Sequence, residues 1–155
     1  MAGLVAAFGS GAMTNSISEI EDAGCVFVSG SNTTACHPLI ARRIIRAKEK
    51  GAKLIVADPR NIHLAQFADI AVRHRLGSDV ALLNGMMNVI IRSEWQAKEY
   101  IEERTEGYEE LERIVEEYTP EKVQDITGVS PQELRRMAEL YATNPPGSLL
   151  YAMGI

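Results

Sequence analysis

Two short apolar runs that enclose one amphipathic stretch constrain the fold of this chain more than any other feature of its sequence. The run CVFVS covers residues 25–29, and the run KLIVAD covers residues 53–58. Short apolar runs of this kind are typical of strands that are buried on both faces of a sheet. Between them, residues 38–51 have apolar side chains at helical spacing, with Pro38 suited to the first turn and Gly51 to the C-terminal cap. These segments predict a βαβ unit with parallel strands and a right-handed crossover.

The rest of the chain continues the alternation of strands and helices. Residues 68–74 predict a third strand, and residues 148–155 predict a last one. Helices are expected between these two strands, with Asp79, Thr119 and Ser130 as N-caps; their approximate ranges are Val80–Ile91, Trp95–Arg104 and Tyr108–Tyr118, followed by helices after Thr119 and Ser130. This order predicts an α/β fold, a Rossmann-like parallel sheet with helices on both faces and a helix-rich C-terminal half.

The two ends of the chain lead us to expect a piece of a longer polypeptide. The last predicted strand runs to Ile155, and the first residues are small and lack a helix cap. We therefore expect residues 1–155 to form a single α/β domain that has been excised from a longer chain.

Composition restricts the class of protein. The 155 residues are 46% hydrophobic and 24% charged, as in soluble globular domains. No apolar run has the length of a membrane span, and the N-terminus lacks the pattern of a secretion signal. The net charge of -5 argues against a nucleic-acid partner. The two cysteines, Cys25 and Cys36, do not have metal-site spacing, so we expect no metal ligands in this chain and a reducing, cytoplasmic compartment.

Small polar residues follow the ends of the first three predicted strands. Ligands of open α/β sheets bind beyond the carboxyl ends of the strands, and these loops should open on the same edge. Asp58 ends the second strand, where an acid can bind ribose hydroxyls, Arg60 can pair with a phosphate, and Asp79 can accept two hydrogen bonds from guanine. The first loop combines a glycine that permits close approach with neutral donors: Gly30, Ser31, Asn32, Thr33 and Thr34.

Each of these loops also has a simpler interpretation. Runs of Gly, Ser, Asn and Thr are ordinary turn chemistry, and Asp79 can act only as a helix cap. The stretch GSGAMT at residues 9–14 lacks the third glycine of the dinucleotide fingerprint, and Asp58 lies farther from Gly30 than the roughly 20 residues expected for an NAD-binding acid. The sequence therefore favours a phosphorylated ligand but not an ordinary NAD-binding domain.

The joined motifs resemble the catalytic subunits of molybdenum- or tungsten-dependent formate dehydrogenases, within the wider family of molybdopterin oxidoreductases. The resemblance runs in order through GSGAMTN, VFVSGSNTTACHP, LIVADPR, GSDVALLNGMMNVII, YTPEKVQDITGVS and LLYAMGI, and so covers nearly the whole chain. It implies an α/β domain that binds the nucleotide part of one of two molybdopterin guanine dinucleotides.

The resemblance also implies roles for particular residues. The loop from Gly30 to Thr34 would contact the pyrophosphate and ribose. Pro59 would lie along the nucleotide between Asp58 and Arg60. The guanosine would be held by Gly77, Ser78 and Asp79, and the pair Met153 and Gly154 would approach the cofactor.

The family's catalytic residues have no counterpart in this chain. Its metal-binding cysteine or selenocysteine, the neighbouring histidine and the iron–sulfur cysteines lie upstream, and its arginine lies downstream. The implied parent enzyme oxidises formate to carbon dioxide and passes two electrons through a 4Fe-4S cluster, so its partners would be the remaining domains and an electron-transfer subunit. We expect the bare domain to be inactive.

Two alternatives stay open at this point. The chain can be the same domain of another molybdopterin oxidoreductase, such as a nitrate reductase. It can also be a non-catalytic module that docks another subunit through the acidic helices of residues 97–118. An exposed apolar stripe there would favour docking, but we expect its candidate residues to face the core: Tyr100, Ile101, Tyr108, Leu111, Ile114 and Val115.

Overall fold

A four-stranded parallel sheet forms the centre of the computed structural model, which describes residues 2–13 and 15–152. The order of the strands is β3-β2-β1-β4, so β1 pairs with β2 on one side and with β4 on the other. This confirms the predicted parallel βαβ unit. The strands are β1 (Cys25–Ser29), β2 (Lys53–Ala57), β3 (Ile70–Val72) and β4 (Gly147–Tyr151).

Helices connect the strands, and most of them lie in the second half of the described chain, as predicted. The α-helices are α1 (Ala2–Phe8), α2 (Thr33–Cys36), α3 (Pro38–Glu49), α4 (Asp79–Arg92), α5 (Lys98–Arg104), α6 (Tyr108–Glu116), α7 (Pro120–Thr127) and α8 (Pro131–Thr143). Two 3₁₀ helices cover Ile17–Asp22 and His63–Phe67. No helix within residues 2–13 and 15–152 combines the length and apolarity that a membrane crossing requires.

Alternating strand residues build a separate core on each face of the sheet. Val28 and Val56 pack on one face with Ile44 of α3. Phe27 and Ile55 pack on the other face in the same cluster as Leu82 of α4 and the residues Leu134 and Met137 of α8. Because successive strand side chains point to opposite faces, an apolar run without alternation requires cover on both sides. The α/β fold with helices on both faces is therefore confirmed.

Local capping signals account for several helix ends. Pro38 and Pro120 each occupy the first helical turn, where a missing N–H has no cost. The predicted capping box of α8 is present, since the Glu133 carboxylate accepts from Ser130 N at 3.0 Å and Ser130 Oγ accepts from Glu133 N at 3.3 Å. Gly51 follows α3 with φ +104°, a left-handed conformation that glycine adopts without steric cost.

Four sequence expectations need correction. Ser78, and not Asp79, is the N-cap of α4, and the third strand is shorter than residues 68–74. A short helix, α2, lies inside the segment expected to be a loop. Of the six residues of α5 and α6 expected to face the core, only Val115 is buried, while Tyr100, Leu111 and Ile114 are exposed and Ile101 and Tyr108 are partly exposed. Helix α6 packs against α4, and part of the apolar surface of both short helices stays exposed.

Gly85 of α4 permits close packing against α7 and α8. An added Cβ there would lie 2.7 Å from Val123 Cγ2 and 3.1 Å from Leu134 Cδ2. We expect Gly85→Leu to lower the free energy of unfolding by about 1–3 kcal/mol, because neither neighbour has free space to move into. Chemical denaturation measures this change. Gly3→Leu is the matched control, since nothing lies within 4 Å of an added Cβ at Gly3. Equal stabilities of the two variants would contradict the close packing.

Candidate functional site

The ends of β1, β2 and β3 lie side by side at one edge of the sheet. Ser29 is in register with Ala57, and Ala57 is in register with Val72. The three loops that follow these strands therefore begin at the same level, and they enclose a cleft of about 530 Å³, here termed the loop cleft. Eight of the predicted residues line it: Gly30, Ser31, Asn32, Asp58, Pro59, Arg60, Gly77 and Asp79. The expectation that the three loops meet at one edge is correct.

Thr33, Thr34 and Ser78 do not line the loop cleft and instead form hydrogen bonds within the loops that surround it. Thr33 is buried and donates its hydroxyl to Ser31 O at 3.2 Å, and Thr34 Oγ1 donates to Asn32 Oδ1 at 3.4 Å. Ser78 is also buried and donates its hydroxyl to Arg75 O at 2.6 Å. The hydroxyls of Thr33 and Ser78 therefore hold the backbone of their own loops, and that of Thr34 holds the Asn32 side chain.

Gly30 makes the sharp exit from β1. Its φ of +59° lies in the left-handed region that glycine adopts most readily, and its N–H donates to Ala57 O at 2.9 Å. This turn directs Ser31 and Asn32 along the loop cleft before α2 begins at Thr33. The small side chains of the first loop keep the space beyond the sheet edge open.

Asp58 and Arg60 form a bidentate ion pair within the second loop. Arg60 Nε donates to Asp58 Oδ1 and Arg60 Nη2 donates to Asp58 Oδ2, both at 2.9 Å, while the Arg60 N–H also donates to Oδ1 at 2.9 Å. Burial raises the pKa of the Asp58 carboxyl, but the Arg60 hydrogen bonds outweigh burial, so the pKa lies below its ordinary value. Both Asp58 oxygens are therefore occupied, and the exposed guanidinium of Arg60 is fixed at the loop cleft.

The third loop is held by hydrogen bonds from Arg75 to the end of α7 and by a hydrogen bond between His74 and Asp79. Arg75 N donates to Thr127 O at 2.8 Å, and the Arg75 guanidinium donates to the carbonyls of Asp125 and Ile126 at the end of α7. His74 Nε2 lies 2.9 Å from Asp79 Oδ1. These contacts fix the position of the loop between β3 and α4.

Sequence reasoning missed five residues of the site. Cys36, His37, Leu76 and Ala152 also line the loop cleft, and His74 is buried behind Asp79. A signal for His74 exists in the sequence, because Ile70, Val72 and His74 alternate and so share one face of the extended chain. The predicted cofactor residues Met153 and Gly154 lie outside the described residues.

The two cysteines differ in environment. Cys25 is buried in β1, and burial raises the pKa of its thiol to about 12. Cys36 is exposed and lines the loop cleft. Within residues 2–13 and 15–152, no group of three His, Cys, Asp or Glu side chains has the arrangement of a metal site.

A second, smaller cavity of about 290 Å³ lies between α4 and α6. Asn88, Arg92 and Glu112 are among its lining residues, and it contains none of the predicted site residues. It lies along helices and not at strand ends, so the loop cleft remains the better candidate.

The Asp58 ion pair predicts a specific response to acid. A carboxyl whose pKa is lower in the folded state contributes stability above its unfolded value of about 3.9, and this contribution is lost as the pH falls through the folded pKa. We expect Asp58→Asn to lower the free energy of unfolding at pH 7 by about 1–3 kcal/mol. The thermal midpoint of this variant should fall less between pH 7 and pH 3 than that of the unmodified chain.

Asp22→Asn is the control for this experiment, because the Asp22 side chain is 78% exposed. Its midpoint should follow the unmodified chain at both pH values. An Asp58→Asn midpoint that falls as steeply as that of the unmodified chain would show that folding does not stabilise the ionised form of Asp58.

Comparisons with known proteins identify the relatives of this chain. A family model described as "Molybdopterin oxidoreductase" matches residues 4–146. The "F420-dependent formate dehydrogenase 1 subunit alpha" of Methanococcus maripaludis is 50% identical over 153 residues, which are 99% of this chain and 23% of that protein. A "Nitrate reductase" of Symbiobacterium thermophilum is 38% identical over 166 residues, covering 100% of this chain and 22% of that protein.

A solved structure shares the fold. The acetylene hydratase from Pelobacter acetylenicus superposes with a TM-score of 0.78 at 34% identity, over 88% of this chain and 21% of that chain. The chain thus spans about a quarter of the length of the curated relatives it matches. The match of a single family model over nearly all of its residues shows that this chain belongs to the molybdopterin oxidoreductase family.

Proposed function

We propose that residues 1–155 form one cofactor-binding domain of the catalytic subunit of a formate dehydrogenase. The family implies a molybdopterin cofactor. The guanine dinucleotide form is our proposal, and the observation that carries it is the meeting of three polar loops in one cleft at the carboxyl edge of a parallel sheet. In this proposal the domain holds the nucleotide end of the cofactor.

The residues of the loop cleft fit a guanosine diphosphate group. Arg60 presents a fixed guanidinium, which suits a phosphate oxygen. Gly30, Ser31 and Asn32 form a narrow lining that lets a ligand approach the backbone. Asp79 presents a carboxylate whose Oδ2 has no hydrogen-bond partner among the described residues, which suits a base with adjacent N–H donors.

The chemistry of the reaction comes from outside this chain. When bound, the cofactor supplies a molybdenum or tungsten centre that exchanges two electrons with formate. Within this chain, the loop cleft only orients the distal end of that group. We propose that the remaining domains of the parent chain supply the catalytic residues and a 4Fe-4S cluster, and that an electron-transfer subunit accepts the electrons.

The substrate and the compartment are part of the same proposal. The higher identity to the formate dehydrogenase subunit supports formate, so a nitrate reductase is the less supported alternative. Both cysteines are unpaired, which supports a reducing, cytoplasmic location.

A subunit-docking role is a second candidate for a different surface. Tyr100 is 63% exposed, Ile114 is 46% exposed and Leu111 is 38% exposed, on helices that are otherwise acidic. Large exposed apolar side chains among charged residues are typical of a protein–protein contact when they are contiguous. This surface does not line the loop cleft, so docking there is compatible with cofactor binding.

Protection of Cys36 tests nucleotide binding directly. GDP in the loop cleft should slow the reaction of Cys36 with a thiol reagent at least several-fold, while Cys25 stays unreactive because it is buried and has a high pKa. Mass spectrometry of the labelled chain measures both rates. Cys36→Ser should abolish rapid labelling and so identifies the reacting thiol.

A pair of arginine variants, tested by the same labelling experiment, shows whether the phosphates of GDP bind near Arg60. Arg60→Gln should weaken GDP protection about tenfold, because a phosphate would lose its charged partner. Arg42→Gln should leave protection unchanged, because Arg42 is exposed on α3 and does not line the loop cleft. Cys36 labelling that is unaffected by millimolar GDP would contradict the proposed site.

The formate assignment is tested on the full-length parent subunit. We expect formate-dependent reduction of an acceptor dye, and release of a molybdopterin guanine dinucleotide on denaturation. Nitrate-dependent oxidation of a reduced dye, without activity on formate, would contradict the formate assignment and favour a nitrate reductase.

A further inference from the structure

We propose that His74 is a positioning residue that orients the Asp79 carboxylate toward a guanine base, an inference that rests on the proposed function of the loop cleft. His74 does not line the loop cleft itself. Its effect would pass through one hydrogen bond to a residue that does.

The position of His74 in the chain is unusual for a polar residue. Val72 and His74 are buried, and Arg73 between them is exposed, so the extended backbone of β3 continues its alternation past the end of the strand. Alternation places an apolar side chain at such a position. The sequence instead has an imidazole there that is fully buried. Burial of a polar ring is costly unless it forms a hydrogen bond, so the contact that it forms is informative.

Among the described residues, the one hydrogen bond of the imidazole is with Asp79. His74 Nε2 lies 2.9 Å from Asp79 Oδ1, and His74 Nδ1 is buried without a hydrogen-bond partner among the described residues. An ionised carboxylate can only accept, so Nε2 must carry the hydrogen and donate it. In the neutral ring this leaves Nδ1 as an unpaired acceptor. The position of the ring therefore allows one charge-assisted hydrogen bond through Nε2 and leaves Nδ1 without a partner among the described residues.

This bond determines where the Asp79 carboxylate lies. Asp79 is the first residue of α4, next to free helix N–H groups from which a carboxylate can accept hydrogen bonds. No such bond is present among the described residues, and the cap position belongs to Ser78. His74 holds Oδ1 instead. The side chain is only 14% exposed, yet it lines the loop cleft and keeps Oδ2 available.

A carboxylate held in this way is selective between purines. Guanine presents two adjacent donors, N1–H and the 2-amino group, and a carboxylate can accept from both because each oxygen has more than one lone pair. Adenine presents an acceptor at N1, so the same carboxylate would face a lone pair without a hydrogen. A two-point contact depends on orientation, whereas the attraction of Arg60 to phosphate does not depend on the base.

Matched amide variants separate positioning from simple core packing. His74→Gln places an amide N–H near the former Nε2, whereas His74→Asn is an amide that is too short to reach Asp79. The ratio of GDP to ADP affinities, measured for the chain by protection of Cys36, should stay near that of the unmodified chain in His74→Gln. It should fall roughly tenfold in His74→Asn, with little change in ADP affinity, because one well-oriented pair contributes about that much discrimination.

Further variants test whether a loss of packing, and not a loss of the hydrogen bond, changes the selectivity. His74→Leu fills the buried space without a donor, so it should lose selectivity as His74→Asn does while keeping a cooperative thermal transition. In an Asp79→Asn background, His74→Leu should change the ratio no further, because the two residues act through the same contact.

The outcomes distinguish a failure of the role of His74 from a failure of the proposed guanosine site. If the unmodified chain prefers GDP and His74→Leu or His74→Asn keeps that preference, the role of His74 is overturned and the proposed site stands. If the unmodified chain binds neither GDP nor ADP, or binds both equally, the proposed guanosine site fails and the inference fails with it.

Discussion

The pairing of β1 with β2 on one side and with β4 on the other is the constraint on which the loop cleft depends. Because all of these pairings are parallel and in register, Ser29, Ala57, Val72 and Tyr151 end their strands in one row. The apolar run of β1 can occupy this central position only because α3 covers one face and α4 and α8 cover the other. Burial of the strands thereby determines where the polar loops emerge.

Within that row, each polar loop is organised by contacts of its own. Arg60 returns to Asp58 two residues earlier, and Asp79 returns to His74 five residues earlier. The first loop holds its shape through the Thr33 hydroxyl and the backbone bond of Gly30 to Ala57. Groups that are already fixed lose little conformational freedom when a ligand arrives, so the loop cleft is preorganised for binding. The sheet provides the common edge, and the short-range bonds provide the orientation of the side chains.

The proposed division between binding and chemistry rests on the same architecture. The loop cleft contains charged and neutral hydrogen-bonding groups, and the residues described contain no metal-ligating cluster. In our proposal, the domain holds the distal end of a large cofactor, and another part of a longer chain holds its reacting end. The acidic helices α5 and α6, with their exposed Tyr100 and Ile114, lie away from that function and offer a separate surface.

The sequence by itself determined most of the elements and the family. Unbroken apolar runs identified the buried strands, proline and the Ser130–Glu133 box identified helix starts, and small polar residues at strand ends identified most of the loop cleft. These features are local, since they depend on side chains within a few positions of one another. Only the tertiary structure decided that β4 lies beside β1 and that the buried His74 holds Asp79. Each of these outcomes depends on which groups compete for the same partner once distant segments pack, and that competition is absent from local sequence patterns.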